Sequence, residues 1–388
     1  MLALALDDKL PHFRIDLQRL TDAADLTLEV TRKNYPSLDV PFHSRWRHFV
    51  IGGEDRWATL AQKNNWPDAA ARARAAFDLA VVSVLLDAGA GPQWRYRDAA
   101  TGQTIGRSEG LALASLEMFA AGAFSSDPAH PLQADAEGLK TLSNQALTAG
   151  FQITDTNPLV GAEGRADLLC RLGALLADRP EIFGRNGVPR PGGLFDHFSA
   201  LAPGGEISAP KILSELLRYL GPIWPSRLTL GGVPLGDCWR HPALTTTDAT
   251  NGMVPLHKLS QWLAYSLIEP LQWAGLTVSD IDGLTGLSEY RNGGLFVDSG
   301  VLQLRDPTDA SRAHDVASPL VVEWRALTVA LLDRLADEIR RWLGMDKNAL
   351  PLAKVLEGGT WAAGRVIARQ KRVDGSPPLK IISDGTVF

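Results

Sequence analysis

The stretch LTGLSEYRNGG, residues 284–294, places a carboxylate, a phenol and a guanidinium side by side as Glu289, Tyr290 and Arg291, between glycine-bearing turns. A carboxylate so placed can take or give a proton in general acid–base catalysis, or stabilise a positive charge that develops beside it. Glu289 is the carboxylate we assign to that chemistry. It must stay ionised to take a proton or to stabilise a charge, so burial can raise its pKa only to a limited extent. Glu323 lies three residues after Leu320 and four before Leu327, at the edge of an apolar helical stripe. A carboxylate there is either paired, with Arg325 or another arginine, or it titrates abnormally and can serve as an acid. In HKLSQW, Lys258 and Gln261 are either the wet face of a helix or they point into a polar cavity. The apolar neighbours Leu259, Trp262, Leu263, Tyr265, Leu267 and Ile268 leave little polar face for the first alternative.

The chain holds eight histidines, but neither His43 and His48, five apart, nor His257 has the spacing of an HExxH helix or of a zinc pattern. A metal site is left open, with these three as its ligands if there is one. The glycine pairs follow no strand and form neither GxGxxG nor a P-loop, so no cofactor is implied.

These groups must be positioned by helices, because the dominant apolar period is helical. Residues 71–89, 108–122, 208–221, 254–275 and 318–344, and GRADLLCRLGALLADRP, read as helices, with Ser108 and Ser208 as N-terminal signals and Gly122 as a C-terminal one. Only RLTLGGVPLGD, GGLFVDSGVLQLRD and the tail LKIISDGTVF look extended. The expected fold is mainly α with a minor β element, a single large helical domain at 46–388 preceded by an N-terminal extension at 1–45.

At 388 residues, 45% hydrophobic and 21% charged, the chain can bury a substantial core. A net charge of −5 and a pI near 5.9 give no diffuse attraction to nucleic acid or anionic lipid. Cys170 and Cys238 form no CxxC pair, which fits a reducing compartment. The N-terminus lacks a basic region before its short apolar run, and no run of eighteen apolar residues exists. A cytoplasmic protein with no membrane partner is expected, and nothing in the sequence bears on oligomeric state.

The segments RSEGLALASLEMFAAGAFSS, GPIWPSR, LHKLSQWLAYSLIEPL, LTGLSEYRNGGLFVDSGVL, VEWRALTVALLDRL, LEGGTWAAGR and SDGTVF, in that order from about Arg47 to Phe388, resemble the uracil catabolism protein family of fungi and bacteria. That resemblance implies a part in a route in which the uracil ring of a nucleotide is opened and its nitrogen leaves as urea. A more distant similarity is to the queuosine salvage family, which cleaves the N-glycosidic bond of queuosine 5′-monophosphate on a fold resembling the helix-hairpin-helix DNA glycosylases. LTGLSEYR is similar to that family's catalytic stretch, which implies Glu289 as the catalytic carboxylate in place of an aspartate, followed by Tyr290 and Arg291. HKLSQWL and VEWRALTVALLDRL are similar to its site helices, implying Lys258, Gln261, Glu323 and Arg325, and VVSVLLDAG adds Asp87.

Taken together, the expected activity is a hydrolase, an N-glycosidase that splits a ribosylurea or its 5′-phosphate into urea and ribose or ribose phosphate. Urea is poor as an anionic leaving group, so Glu323 would protonate it while Glu289 acts as base. Lys258, Arg291 and Arg107, the last before SEG, are the cations for a phosphate, unless Arg291 is a salt bridge that fixes Glu289. The alternatives are a ureide or amide hydrolase of the ring-opened nucleotide, dependent on a metal or a nucleophile, and a non-catalytic metabolite-binding protein.

Overall fold

Where the apolar period is helical and the ends carry capping residues, the computed structural model has helices; it describes every residue except Ala88, Pro225, Ser226 and 383–388. Ser318 accepts the N–H of Val321 to start Pro319–Leu343, and Gly344 ends that helix at φ 63°, a conformation that a Cβ disfavours. Ala69–Leu85, Ala162–Asp178, Ala209–Leu220 and Lys258–Trp273 fall on the expected segments. Arg107–Ala120 starts one residue before Ser108, with Gly106 in the cap position, so Ser108 belongs to the first turn rather than capping it. Strands among the described residues are short and joined only in pairs, and the protein is mainly α.

Chain contacts divide the molecule into two compact units. The first comprises Met1–His43, Ser226–Gln261 and Asp280–Phe388. Its centre is Pro319–Leu343, whose Leu327, Leu331 and Leu335 are wholly buried. Tyr290–Asp298 packs between that helix and Trp361–Lys371. Residues 1–43 are woven into this unit rather than extending from it: Phe13–Ile15 pairs antiparallel with Leu302–Leu304, and the Phe13 ring is buried.

One expected strand is a helix. GGLFVDSGVLQLRD begins inside Tyr290–Asp298, and only Leu302–Leu304 of it is extended. The cause lies in Glu289, which caps the helix from outside, and in the glycines within it. A Cβ on Gly293 would come within 2.7 Å of the Trp324 indole, which donates its Nε1–H to the Gly293 carbonyl at 3.0 Å. Gly293 is therefore a helix-packing position. RLTLGGVPLGD does form a hairpin, Thr229–Leu230 with Val233–Pro234. Of the tail, Lys380–Ile382 pairs parallel with Ala313–Asp315, and SDGTVF lies outside the described residues.

The second unit comprises Ser44–Pro225 and Trp262–Ser279. Ala69–Leu85 packs there against Arg107–Ala120 and Gly193–Ala200. Among the described residues, no helix is long and apolar enough to cross a membrane.

Candidate functional site

Glu289 is the N-cap of Tyr290–Asp298. Its two carboxylate oxygens accept the backbone N–H groups of Arg291 at 2.7 Å and Asn292 at 2.5 Å, which are orphan donors of the first turn. The residue is half-buried. Burial pushes its carboxyl above the usual range, while the two N–H bonds and the positive charges of Lys258 and Arg291 pull it back. A carboxylate balanced in this way has a perturbed pKa yet partial access to solvent, the combination found in reacting acids and bases.

The neighbouring polar residues share one hub that the sequence reading missed. Asp237 follows the Thr229–Pro234 hairpin segment and receives Arg325 in a fork, with NH1 on Oδ1 and NH2 on Oδ2, both at 2.8 Å. Oδ1 also accepts the Trp239 indole N–H at 2.6 Å, and Oδ2 accepts the Lys258 backbone N–H at 2.9 Å. Burial works against ionisation of Asp237, but the Arg325 charge and hydrogen bonds, with those of Lys258 and Trp239, bring its pKa down to about 2. Asp237 therefore caps the Lys258 end of one helix. Through Arg325, which donates to the Ser288 carbonyl at 3.3 Å and hydroxyl at 3.2 Å, it also fixes the residue preceding Glu289.

Gln261 completes the connection by accepting the Thr285 N–H on its side-chain oxygen at 3.1 Å. His257 precedes the helix at φ 47°, its backbone N–H on the Asp237 carbonyl at 3.1 Å. Burial lowers the His257 pKa, with Asp237 opposing and Arg325 adding to the effect. Arg227 lies over the Trp239 ring with its guanidinium carbon 4.6 Å from the centroid. The structure thus ties Lys258 and Arg325 to Asp237, Arg325 in turn to Ser288 beside Glu289, and Gln261 to Thr285, while Tyr290 and Arg291 follow Glu289 in the first turn of its helix. A carboxylate at the end of an extended LGD is not distinguishable in sequence from an ordinary turn aspartate; only its partners reveal it.

Arg291 is not an outward-facing cation. Its guanidinium packs over the Tyr290 ring and donates to the Gly375 carbonyl at 2.8 Å, in buried surroundings. Glu323 is wholly buried rather than at the edge of a stripe. Its Oε1 accepts the backbone N–H groups of His12 at 3.2 Å and Phe13 at 2.7 Å, and Oε2 lies 3.2 Å from Nε2 of buried His241. The fork from Arg325 goes to Asp237, so the pairing of Glu323 with Arg325 left open by the sequence is not the one formed.

Asp87, Arg107 and His48 belong to the second unit. Asp87 lies 3.2 Å from NH1 of fully buried Arg45, whose Nε donates to the Ser83 hydroxyl at 2.7 Å. Burial lowers the Arg45 pKa against the charge of Asp87. Arg107 is exposed and opens its helix at φ 58°. His48 stands edge-on to Trp262 at 5.6 Å, and His43 places Nδ1 2.8 Å from Glu357. Among the described residues no group of three or more His, Cys, Asp or Glu side chains is arranged to hold an ion.

Over residues 1–388 the chain matches a family described as a protein of unknown function, DUF1688, and it belongs to that family. It is similar to Protein urg3 of Schizosaccharomyces pombe, with 40% identity across 100% of this chain and 95% of that protein. It is also similar to Uracil catabolism protein 4 of Lachancea kluyveri, with 37% identity across 97% of this chain and 92% of that protein.

Proposed function

We propose that this member of the DUF1688 family acts in uracil catabolism, hydrolysing the N-glycosidic bond of a ribosylurea or its 5′-phosphate. The pathway rests on the name of its Lachancea kluyveri relative. The reaction rests on Glu289, the half-buried carboxylate at a helix start with a raised pKa and a lysine charge acting on it. The mainly helical architecture is compatible with the glycosylase-like fold inferred from the sequence.

In this reading the C–N bond breaks with its electron pair passing to the urea nitrogen. The oxygen of water bonds to the anomeric carbon and gives its proton to Glu289. The leaving nitrogen takes a proton from a different group. Glu323 fits that duty poorly, since its carboxylate is wholly enclosed and one of its oxygens already accepts two backbone N–H groups. We assign the donation to the Lys258 ammonium, whose charge acts on Glu289, and to Asp237 and Arg325 the task of holding both helix starts.

The test is to incubate the protein with ribosylurea and with its 5′-phosphate and to follow urea and reducing sugar together. Equal release of both supports the N-glycosidase. No release from either substrate overturns it.

A further inference from the structure

Three side chains from separate parts of the first unit meet in a polar group that the proposed reaction does not use. Tyr35, which ends the helix Leu20–Asn34, donates its hydroxyl to Oε1 of Glu357 at 3.1 Å. Nδ1 of His43 lies 2.8 Å from the other oxygen, Oε2, and the His43 backbone N–H donates to the Ala353 carbonyl at 2.9 Å. Ring and backbone of His43 are thus both fixed against the segment that carries Glu357. The group reaches solvent, the side chains of His43 and Glu357 being 11% and 15% exposed.

Glu357 is carried by an unusual piece of backbone. Leu356–Thr360 forms a π-helical turn, which occurs nowhere else among the described residues. Such turns are rare and appear frequently at functional sites. Glycine lets this one press against Leu20–Asn34: a Cβ on Gly359 would come within 2.3 Å of the Thr27 carbonyl. The same turn packs against Tyr290–Asp298, and further along Gly364 abuts the Arg291 carbonyl, where a Cβ would be 2.2 Å away. The segment holding Glu357 therefore borders the helix that Glu289 caps.

The chemistry follows from where the protons sit. A carboxylate accepts and does not donate, so a neutral His43 carries its proton on Nδ1, and Nε2 is an acceptor. A carboxylate sets the tautomer of a catalytic imidazole in the same way. A phosphate at neutral pH offers such a nitrogen no proton, whereas a ribose hydroxyl does. Hydrogen bonds to the hydroxyl beside an anomeric carbon strengthen as an oxocarbenium-like transition state forms.

We propose that His43 Nε2 accepts the 2′-hydroxyl of the substrate's ribose, with Glu357 as the residue that positions it. The inference rests on the N-glycosidase reading above and makes the protein selective for ribosyl over 2′-deoxyribosyl substrates.

The experiment takes whichever of ribosylurea and its 5′-phosphate the protein turns over, and compares its kcat/KM with that of the 2′-deoxy analogue in the wild type, in His43→Ala and in Glu357→Gln. The greater intrinsic lability of the deoxyribosyl bond is common to all three proteins and cancels when their ratios are compared. In His43→Ala the ribosyl-to-deoxyribosyl ratio is expected to fall at least about tenfold below that of the wild type. In Glu357→Gln the amide oxygen stays on the Tyr35 hydroxyl, so its NH2 faces Nδ1 and the imidazole proton moves to Nε2. A hydroxyl can still accept from that N–H, but the bond then opposes the charge developing on the sugar, so the ratio is expected to fall by a smaller factor and through kcat. Because each readout is a ratio within one protein, partial misfolding of a variant does not imitate it. An unchanged ratio in His43→Ala overturns the role of His43 and leaves the N-glycosidase standing, and an unchanged ratio in Glu357→Gln alone overturns the positioning role of Glu357. Failure of the wild type to turn over either substrate overturns the reading beneath, and this inference with it.

Discussion

Glu289 and Glu323 are the same side chain in the same unit, and the fold places them in opposite circumstances. Glu289 stands outside a helix, half-buried, with its oxygens on the N–H groups of a first turn. Glu323 stands inside the longest helix, wholly buried, and takes the N–H groups of His12 and Phe13 from a segment more than three hundred residues away in sequence. Both bind two backbone donors, yet one arrangement keeps a carboxylate near solvent and the other seals it in the core. The contrast teaches that hydrogen-bond count does not decide whether a carboxylate is able to titrate: access to solvent and a nearby cation do.

The sharpest way to break this contrast is to exchange the expected losses. Glu289→Gln should lower turnover of ribosylurea by roughly 10²–10⁴-fold, while urea unfolding should show a stability change of no more than about 1–2 kcal/mol, the scale of a helix cap. If that variant turns over at the wild-type rate, Glu289 is only a cap. Next in size is Asp237→Asn, which leaves the buried Arg325 guanidinium without its fork and should cost about 3–5 kcal/mol of folding free energy. Glu323→Leu should cost about 2–4 kcal/mol by stranding two N–H groups, with kcat per folded molecule preserved. Loss of kcat in a fully folded Glu323→Leu sample would return this residue to the mechanism.

A smaller loss is expected for Gly293→Ala, because the new Cβ meets the Trp324 indole; about 1–3 kcal/mol should appear in thermal or denaturant unfolding. The smallest effect sharpens the comparison by pH. The raised pKa of Glu289 means that its protonated form is favoured by folding, so its contribution to stability is present at low pH and lost as pH rises through the folded pKa. Asp237 has the reverse sign: its contribution is full above about pH 4 and is lost as pH falls through about 2. Stability curves of Glu289→Gln and Asp237→Asn against the wild type should therefore diverge in opposite directions on acidification. The acid limb of turnover should lie above the ordinary glutamate value of about 4.3, and parallel curves for the two variants would contradict these assignments.

Much of the helical framework was legible because it is written locally. The stripe through Leu327, Leu331 and Leu335, with Ser318 before it and Gly344 after it, specifies a helix and both its ends without reference to the rest of the chain. Tyr290–Asp298 was not legible in the same way. Its two glycines and short apolar run suit a turn and a strand, and helix won because Gly293 fits against Trp324 and Glu289 satisfies the first turn. Of the candidate residues, Glu289 stands out beside Tyr290 and Arg291 between glycine-bearing turns, and Lys258 and Gln261 as polar residues in an apolar helix, whereas Arg325 entered through the family resemblance. Asp237 does not stand out, since an aspartate after a hairpin is an ordinary turn residue.

The sequence by itself determined the mainly helical character, the capped ends of the long helices and the family to which the chain belongs, because each depends on residue types at short spacing. Only the tertiary structure decided which carboxylate is sealed and which is accessible, and that Arg325 forks onto Asp237 rather than Glu323. The physical reason is that burial and ion pairing are set by partners distant in sequence, which local pattern does not record. His12 and Phe13 close over Glu323 through tertiary contacts, whereas Glu289 obtains its donors from the next turn of its own chain.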